Sequence, residues 1–200
     1  MHKTLIALAT VAALAAPQLA AAQDSGDWLV RARAVHLQSA NKDSTGLGLT
    51  INDKWLPEVD ISYFVNPNFA VELILTVPQK QTVYSNGAAI GSFKHLPPTV
   101  TAQYHFTGNS AFRPYVGAGL NYTNVSDVNL LDGGANLKRN SFGLALQVGV
   151  DVPVGGGWVL NLDAKKVQIK TDVLVGATET NAGTFKVDPL LLSVGFGKRF

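Results

Sequence analysis

Between Phe142 and Pro153 the chain alternates almost without error. Phe142, Leu144, Leu146, Val148, Val150 and Val152 are apolar, whereas Gly143, Ala145, Gln147, Gly149 and Asp151 are small or polar. A period of two marks a β-strand with one apolar face. Read along the chain, this pattern predicts eight strands: 27–37, 57–64, 69–76, 98–106, 114–123, 140–152, 158–169 and 185–200. On the first, Trp28, Val30, Ala32 and Ala34 oppose Arg31 and Arg33. On the second, Val59, Ile61 and Tyr63 oppose Glu58, Asp60 and Ser62. On the third, Phe69, Val71, Leu73 and Leu75 oppose Ala70, Glu72 and Thr76. On the fourth, Val100, Ala102, Tyr104 and Phe106 oppose Thr101, Gln103 and His105. On the seventh, Trp158, Leu160, Leu162 and Ala164 oppose Asn161, Asp163 and Lys165. A charge at the bilayer midplane costs about 2–4 kcal/mol for Lys or Arg. These nearly charge-free faces therefore suit lipid, although they would suit a soluble core as well.

The links between strands decide between the two. Those at 38–56, 77–97, 124–139 and 170–184 are long; those at 65–68, 107–113 and 153–157 are short and carry Asn-Pro-Asn or Gly-Gly-Gly. Long and short alternate, so an up-and-down meander puts every long link at one end. Transmembrane barrels sort their links in this way, and a soluble meander has no physical reason to. Trp28, Phe64, Phe69, Phe106, Tyr115, Trp158 and Phe200 all fall at the short-turn end, where an aromatic girdle is predicted; Tyr122 and Phe142 begin a sparser belt at the other. Backbone groups in hydrocarbon must all be paired, which forces closure. The expected fold is all-β, an eight-stranded antiparallel up-and-down barrel of the outer-membrane type.

Three features complete this picture. His2 and Lys3, the apolar run Leu5–Ala16 and the Ala20-Ala21-Ala22 site read as a cleaved secretory signal over residues 1–22, leaving a single domain over 23–200. The absence of Cys excludes disulfides, thiolate metal sites and cysteine nucleophiles. A net charge of +2 gives no nucleic-acid footprint. No later window is apolar enough for a transmembrane helix.

Two runs carry a family resemblance: KHLPPTVTAQYHF (Lys94–Phe106) and RPYVGAGLNYT (Arg113–Thr123), with the closing GFGKRF (Gly195–Phe200). Over essentially the whole mature chain the sequence resembles the OmpW family of small outer-membrane proteins. The resemblance implies a Gram-negative outer-membrane location and a narrow hydrophobic passage for small hydrophobic molecules across the lipopolysaccharide leaflet. It also implies a lateral exit at proline-disrupted backbone, which Pro97 and Pro98 supply here. Solutes would come in around Trp55, Leu56, His95 and Leu96. Phe200, with Ser193 and Gly195, resembles the signal read by the outer-membrane assembly machinery; Lys198 departs from it. Ala164-Lys165-Lys166 departs from an apolar funnel wall, which predicts a more polar passage with Trp55 and Leu56 as its apolar lip.

The inward face is predicted to carry Arg31, Arg33, Glu58, Asp60, Glu72, Asp151, Asp163, Lys165 and Arg199. Unpaired charges in a narrow lumen are costly, so a mutually paired plug is expected rather than an ion path. Inward Gly117, Gly119, Gly143, Gly149, Gly195 and Gly197 would make room for it. His36, His95 and His105 with Ser39, Ser92 or Ser193 form no local catalytic motif, so no enzyme is expected. No metal or other cofactor is expected either. The expected surroundings are membrane lipid and lipopolysaccharide, with the barrel a monomer. Two other readings stay open: a structural or stress-related barrel whose loops bind phage, toxin or host, and passage of amphipathic or amino-acid-like solutes.

Overall fold

The computed structural model describes residues 27–109, 111–176 and 178–200. The expected leader lies outside them. Fifteen strands form one sheet. They are β1 (Trp28–Gln38), β2 (Lys42–Asp43), β3 (Leu49–Ile51), β4 (Lys54–Phe64), β5 (Phe69–Thr76), β6 (Gln79–Ser85), β7 (Ala88–Leu96), β8 (Thr99–His105), β9 (Arg113–Leu130), β10 (Ala135–Leu137), β11 (Asn140–Gly155), β12 (Trp158–Val167), β13 (Lys170–Val175), β14 (Thr180–Lys186) and β15 (Leu190–Arg199). Eight of them, β1, β4, β5, β8, β9, β11, β12 and β15, pair antiparallel in that order, and β15 returns to β1 with Arg31 opposite Gly197. The barrel is closed.

Residue parity sets the faces. Along β1, Leu29, Arg31, Arg33, Val35 and Leu37 are buried, whereas Trp28 and Ala34 are exposed. The outer wall bears Leu144, Leu146, Val148, Leu160, Leu162, Val194 and Phe196. From Phe142 to Val154 is roughly 40 Å of strand, or about 30 Å along the membrane normal at a tilt of about 40°, enough to cross hydrocarbon. Trp28, Tyr63, Phe69, Tyr104, Phe106 and Trp158 are exposed at the short-turn end. They contact in pairs, Trp28 with Tyr63 at 4.8 Å and Phe69 with Tyr104 at 5.0 Å. Phe64 and Tyr115 leave the predicted girdle. Each sits one residue out of phase, so both point inward and are buried, against His105 at 4.8 and 4.9 Å. Trp55, Tyr122 and Phe142 face outward at the opposite end, Tyr122 meeting Phe142 at 4.9 Å. Lys198 shares the lipid face with Trp158 but bends to that ring at 5.5 Å and to the Gly156 carbonyl, so its charge leaves hydrocarbon.

The long links are not loops. They continue as β-structure into a collar above the membrane. The seventh predicted strand ends at Val167 and the eighth starts at Leu190, because 170–186 forms the β13–β14 hairpin. The fifth runs on to Leu130. Around the collar β3 pairs β6, β6 pairs β7, β7 pairs β9, β9 pairs β10, β10 pairs β13, β13 pairs β14 and β14 pairs β2. Between β2 and β3 side chains replace the ladder. Asn41 Oδ1 accepts from the Ile51 N–H at 2.9 Å, and its Nδ2 donates to the Ile51 carbonyl at 3.4 Å. Asp43 accepts from the Thr45 and Leu49 N–H groups at 2.9 and 3.1 Å. Leu49, Val83, Phe93, Leu130, Leu137 and Phe185 fill the collar.

Slight burial raises the Asp43 carboxyl, but the Thr45 hydroxyl and these N–H groups outweigh it and hold the group below the usual 3.8. A depressed carboxyl stabilises above its unfolded value, and that contribution fades as pH falls through the lower, folded one. Protection of the Thr45 and Leu49 amides, relative to their intrinsic exchange rates, should therefore fall only when pH drops below about 3.8, and Asp43→Ala should show the fast, unprotected exchange already at neutral pH. Slow exchange in the variant would refute the anchoring role.

Candidate functional site

The interior is layered. Beneath the apolar collar, Leu37, Leu56, Ile74, Val167, Ile169 and Leu191 wall a narrow open cavity, with Glu58, Lys165, His95, Pro97 and Asn121 also on its lining. Val167 and Ile169 belong to both the collar core and the cavity wall, so the apolar surface is continuous. Lys165 does not leave a free charge on this cavity. Its ammonium donates to both oxygens of Glu58, at 3.0 and 3.2 Å, and the pair forms the floor.

Below the floor lies the ionic cluster, in which the structure brings together eight of the inward charges named from sequence. Arg31 reaches Asp60 at 2.8 Å, Glu72 at 3.3 Å and Asp151 at 2.7 Å. Arg33 bonds Asp60, reaches Glu72 at 2.7 Å and Glu58 at 3.5 Å. Its Nη1 lies 3.2 Å from Asp163 Oδ1, in ion-pair reach but off the line of a hydrogen bond. Three cations face five carboxylates, so neutral donors complete the shells: Thr101 to Glu72 at 3.1 Å, Gln147 and Tyr115 to Asp163 at 2.8 and 2.9 Å, Asn161 to Asp151 at 2.9 Å. Gln147 and Asn161 were not assigned to the plug from sequence, and Tyr115 was assigned to the girdle; their inward parity was the available signal. Arg31 and Glu72 are fully buried, and charges so placed persist only when paired. Arg199 lies at the periplasmic mouth on the same recess as Asp151, its guanidinium 4.1 Å from the centre of the Phe64 ring.

The six residues expected to guide solutes separate by parity. Trp55 and Leu56 lie in β4, not in a loop, and consecutive strand residues face opposite ways. Leu56 is buried at the cavity, whereas Trp55 is 63 % exposed and packs at a tilt against His36 at 5.0 Å, so it forms no lip. His95 and Pro97 line the cavity; Leu96 and Pro98 are half-buried on the opposite parity. The three histidines stand in different surroundings: His36 against Trp55, His95 at the cavity, His105 between Phe64 and Tyr115.

The wall at Pro97 is interrupted. β5 pairs β8 up to Ile74 opposite Thr99, and pairing resumes only at Gln79 opposite His95, across β6 and β7. Pro78 lies on one side of this break and Pro97 and Pro98 on the other. Proline has no N–H, so it interrupts a ladder in a membrane without orphaning a donor. The Pro97 carbonyl accepts from Asn121 Nδ2 at 3.2 Å and from the Thr99 hydroxyl at 3.1 Å, and the same Nδ2 lies 3.3 Å from the Pro98 carbonyl and 2.8 Å from Thr99 Oγ1. The sequence reading passed over Asn121, whose inward phase on β9 placed it beside these prolines.

A closed barrel with an apolar outer band, aromatic belts at both edges and a charge-sealed interior defines an outer-membrane β-barrel. The model of the OmpW family matches residues 24–200, and the chain belongs to that family. Outer membrane protein W of Vibrio cholerae is 33% identical over all of both chains. A dibenzothiophene metabolism operon protein, PahQ of Pseudomonas aeruginosa, is 31% identical over 70% of this chain and 69% of its own. The crystal structure of the outer membrane protein OprG from Pseudomonas aeruginosa superposes with a TM-score of 0.75 at 25% identity, covering 89% of this chain and 97% of that one.

Proposed function

We propose that the barrel is a passive passage through which small hydrophobic molecules reach the membrane from outside. The observation that carries this reading is the apolar cavity set on a closed ionic floor and bordered by the interrupted wall at Pro97. A solute moving down the apolar collar meets Lys165–Glu58 and cannot continue, because entering the ionic layer would strip charges of their partners. The break between Ile74–Thr99 and Gln79–His95 offers a sideways route into lipid. The relative named for dibenzothiophene metabolism supports a fused aromatic compound as the first probe. The reading needs no bond chemistry, and we take the protein to be no enzyme. Phe200, whose N–H donates to the Trp28 carbonyl at 2.8 Å, would present the assembly signal at the seam where β15 meets β1.

The test is uptake of a labelled fused aromatic by cells with intact lipopolysaccharide. Strains would carry the wild-type protein, no protein, Ile74→Trp with Leu191→Trp, or Pro97→Ala with Pro98→Ala. Filling the cavity should reduce uptake to the level without the protein, and restoring N–H groups at the break should reduce it several-fold, at equal amounts of folded barrel. Equal uptake in all four strains refutes the passage.

A further inference from the structure

Three lysines stand side by side on the outer wall of the collar. Lys170 is directly opposite Lys186 across β13 and β14, and Lys186 is directly opposite Lys42 across β14 and β2. All three are exposed, and inward neighbours fix their direction: Thr171 and Phe185 are buried. Strands lie about 4.8 Å apart, so the row spans roughly 10 Å. Like charges directly opposite destabilise a sheet, and this row holds two such pairs in succession.

Among the described residues no carboxylate comes within ion-pair distance of the three. The acids nearby in sequence are engaged elsewhere. Asp172 takes Lys138 at 3.5 Å and the Thr184 hydroxyl at 2.9 Å, and Asp188 accepts from the Ile169 N–H at 2.9 Å. Lys166 bonds the Asp188 carbonyl, adding a fourth positive charge on the same flank.

The height of the row identifies what it faces. The Lys170 N–H donates to Ser141 Oγ at 3.1 Å, and the next residue, Phe142, is 75 % exposed in the outer aromatic belt. The row therefore sits just above the hydrocarbon edge, where the headgroups of the outer leaflet lie. Lipopolysaccharide carries phosphates on its lipid A sugars at this level. We infer that Lys42, Lys186 and Lys170 form a binding site on the outer wall for the lipid A phosphates of lipopolysaccharide. Anionic headgroups attract each nearby lysine, and three in register act together on one phosphate-bearing sugar unit.

The experiment uses the full chain purified from outer membranes and placed in phosphatidylcholine nanodiscs doped with bisphosphoryl lipid A, with lipid A lacking both phosphates, or with phosphatidylglycerol. Lipid retained on the barrel is counted by native mass spectrometry, with heat-modifiable gel migration reporting folding. The wild-type chain should retain bisphosphoryl lipid A about tenfold or more over either other lipid. K42Q/K170Q/K186Q should lose that preference, and K80Q/K94Q/K138Q, which removes three collar lysines elsewhere, should keep it. If the first triple does not fold, Lys186→Gln alone, at the centre of the row, should lose most of the preference. Three outcomes overturn the site: equal retention of phosphatidylglycerol, which would mean a general anionic interface, unchanged preference on removing the row, or equal loss in both triples.

Discussion

Arg31→Met should lower the unfolding free energy of the barrel by about 3–5 kcal/mol, because it strands charge rather than removing it. Arg31 is fully buried and contacts Asp60, Glu72 and Asp151, which belong to three different strands. Without it Asp151 loses the cation that bonds it, and Arg33 is left to serve Asp60 and Glu72. Urea unfolding in lipid vesicles, followed by the gel shift of the folded barrel, would measure the loss. Adding Asp60→Asn and Asp151→Asn to Arg31→Met should return much of it, since neutral amides cost far less to bury than unpaired carboxylates. The single variant should also admit ions in planar bilayers where the wild type does not. A stability loss below about 1 kcal/mol, no larger than an exposed pair gives, would show that the layer is solvated and not a seal.

Gly119→Val should be the most damaging exchange of a small residue in the wall. Gly119 pairs with Thr101 on one side and Ala145 on the other. A Cβ there would fall inside contact distance of the Val100 carbonyl oxygen and 2.6 Å from the Thr101 Cα, both backbone atoms of β8. The strand would have to move, breaking ladder bonds that have no water to replace them in a membrane. The expected loss exceeds about 3 kcal/mol and shows as failure to assemble, read as the folded fraction recovered from outer membranes. Gly117 makes a contrast. Its Cβ would meet the Gln147 side-chain oxygen at 3.0 Å and backbone no closer than 3.4 Å, so Gly117→Ala should assemble with a modest deficit. Equal assembly of both variants and wild type would refute the close approach of β8 and β9.

That contrast also marks what the sequence made legible. Inward glycines were expected to make room for long side chains. Gly149 and Gly197 do so, for Tyr115 and Arg31, whereas Gly119 and Gly143 accommodate neighbouring backbone. Alternation reveals which face a residue takes but not how closely two strands approach. The eight barrel strands were readable because lipid contact enforces a clean apolar face. The collar was not: its strands carry short polar stretches such as Lys42–Asp43, and their pairing depends on partners far along the chain. Phe64 and Tyr115 were misplaced because nearness to a strand end was weighed above phase. Trp55 and Leu56 were assigned together although adjacent strand residues cannot share a face. The ionic cluster was legible because parity collected its members; the order of contacts within it needed coordinates.

The side-chain seam between β2 and β3 gives the collar a mechanical character. Elsewhere the ring is hooped by backbone pairs. At Asn41 and Asp43 it is a split ring fastened by a clasp, and the turn 44–48 is its tether. Prying from outside should therefore part the rim here first, splaying it into two leaves that meet along β9, while the hoop embedded in the membrane keeps its girth.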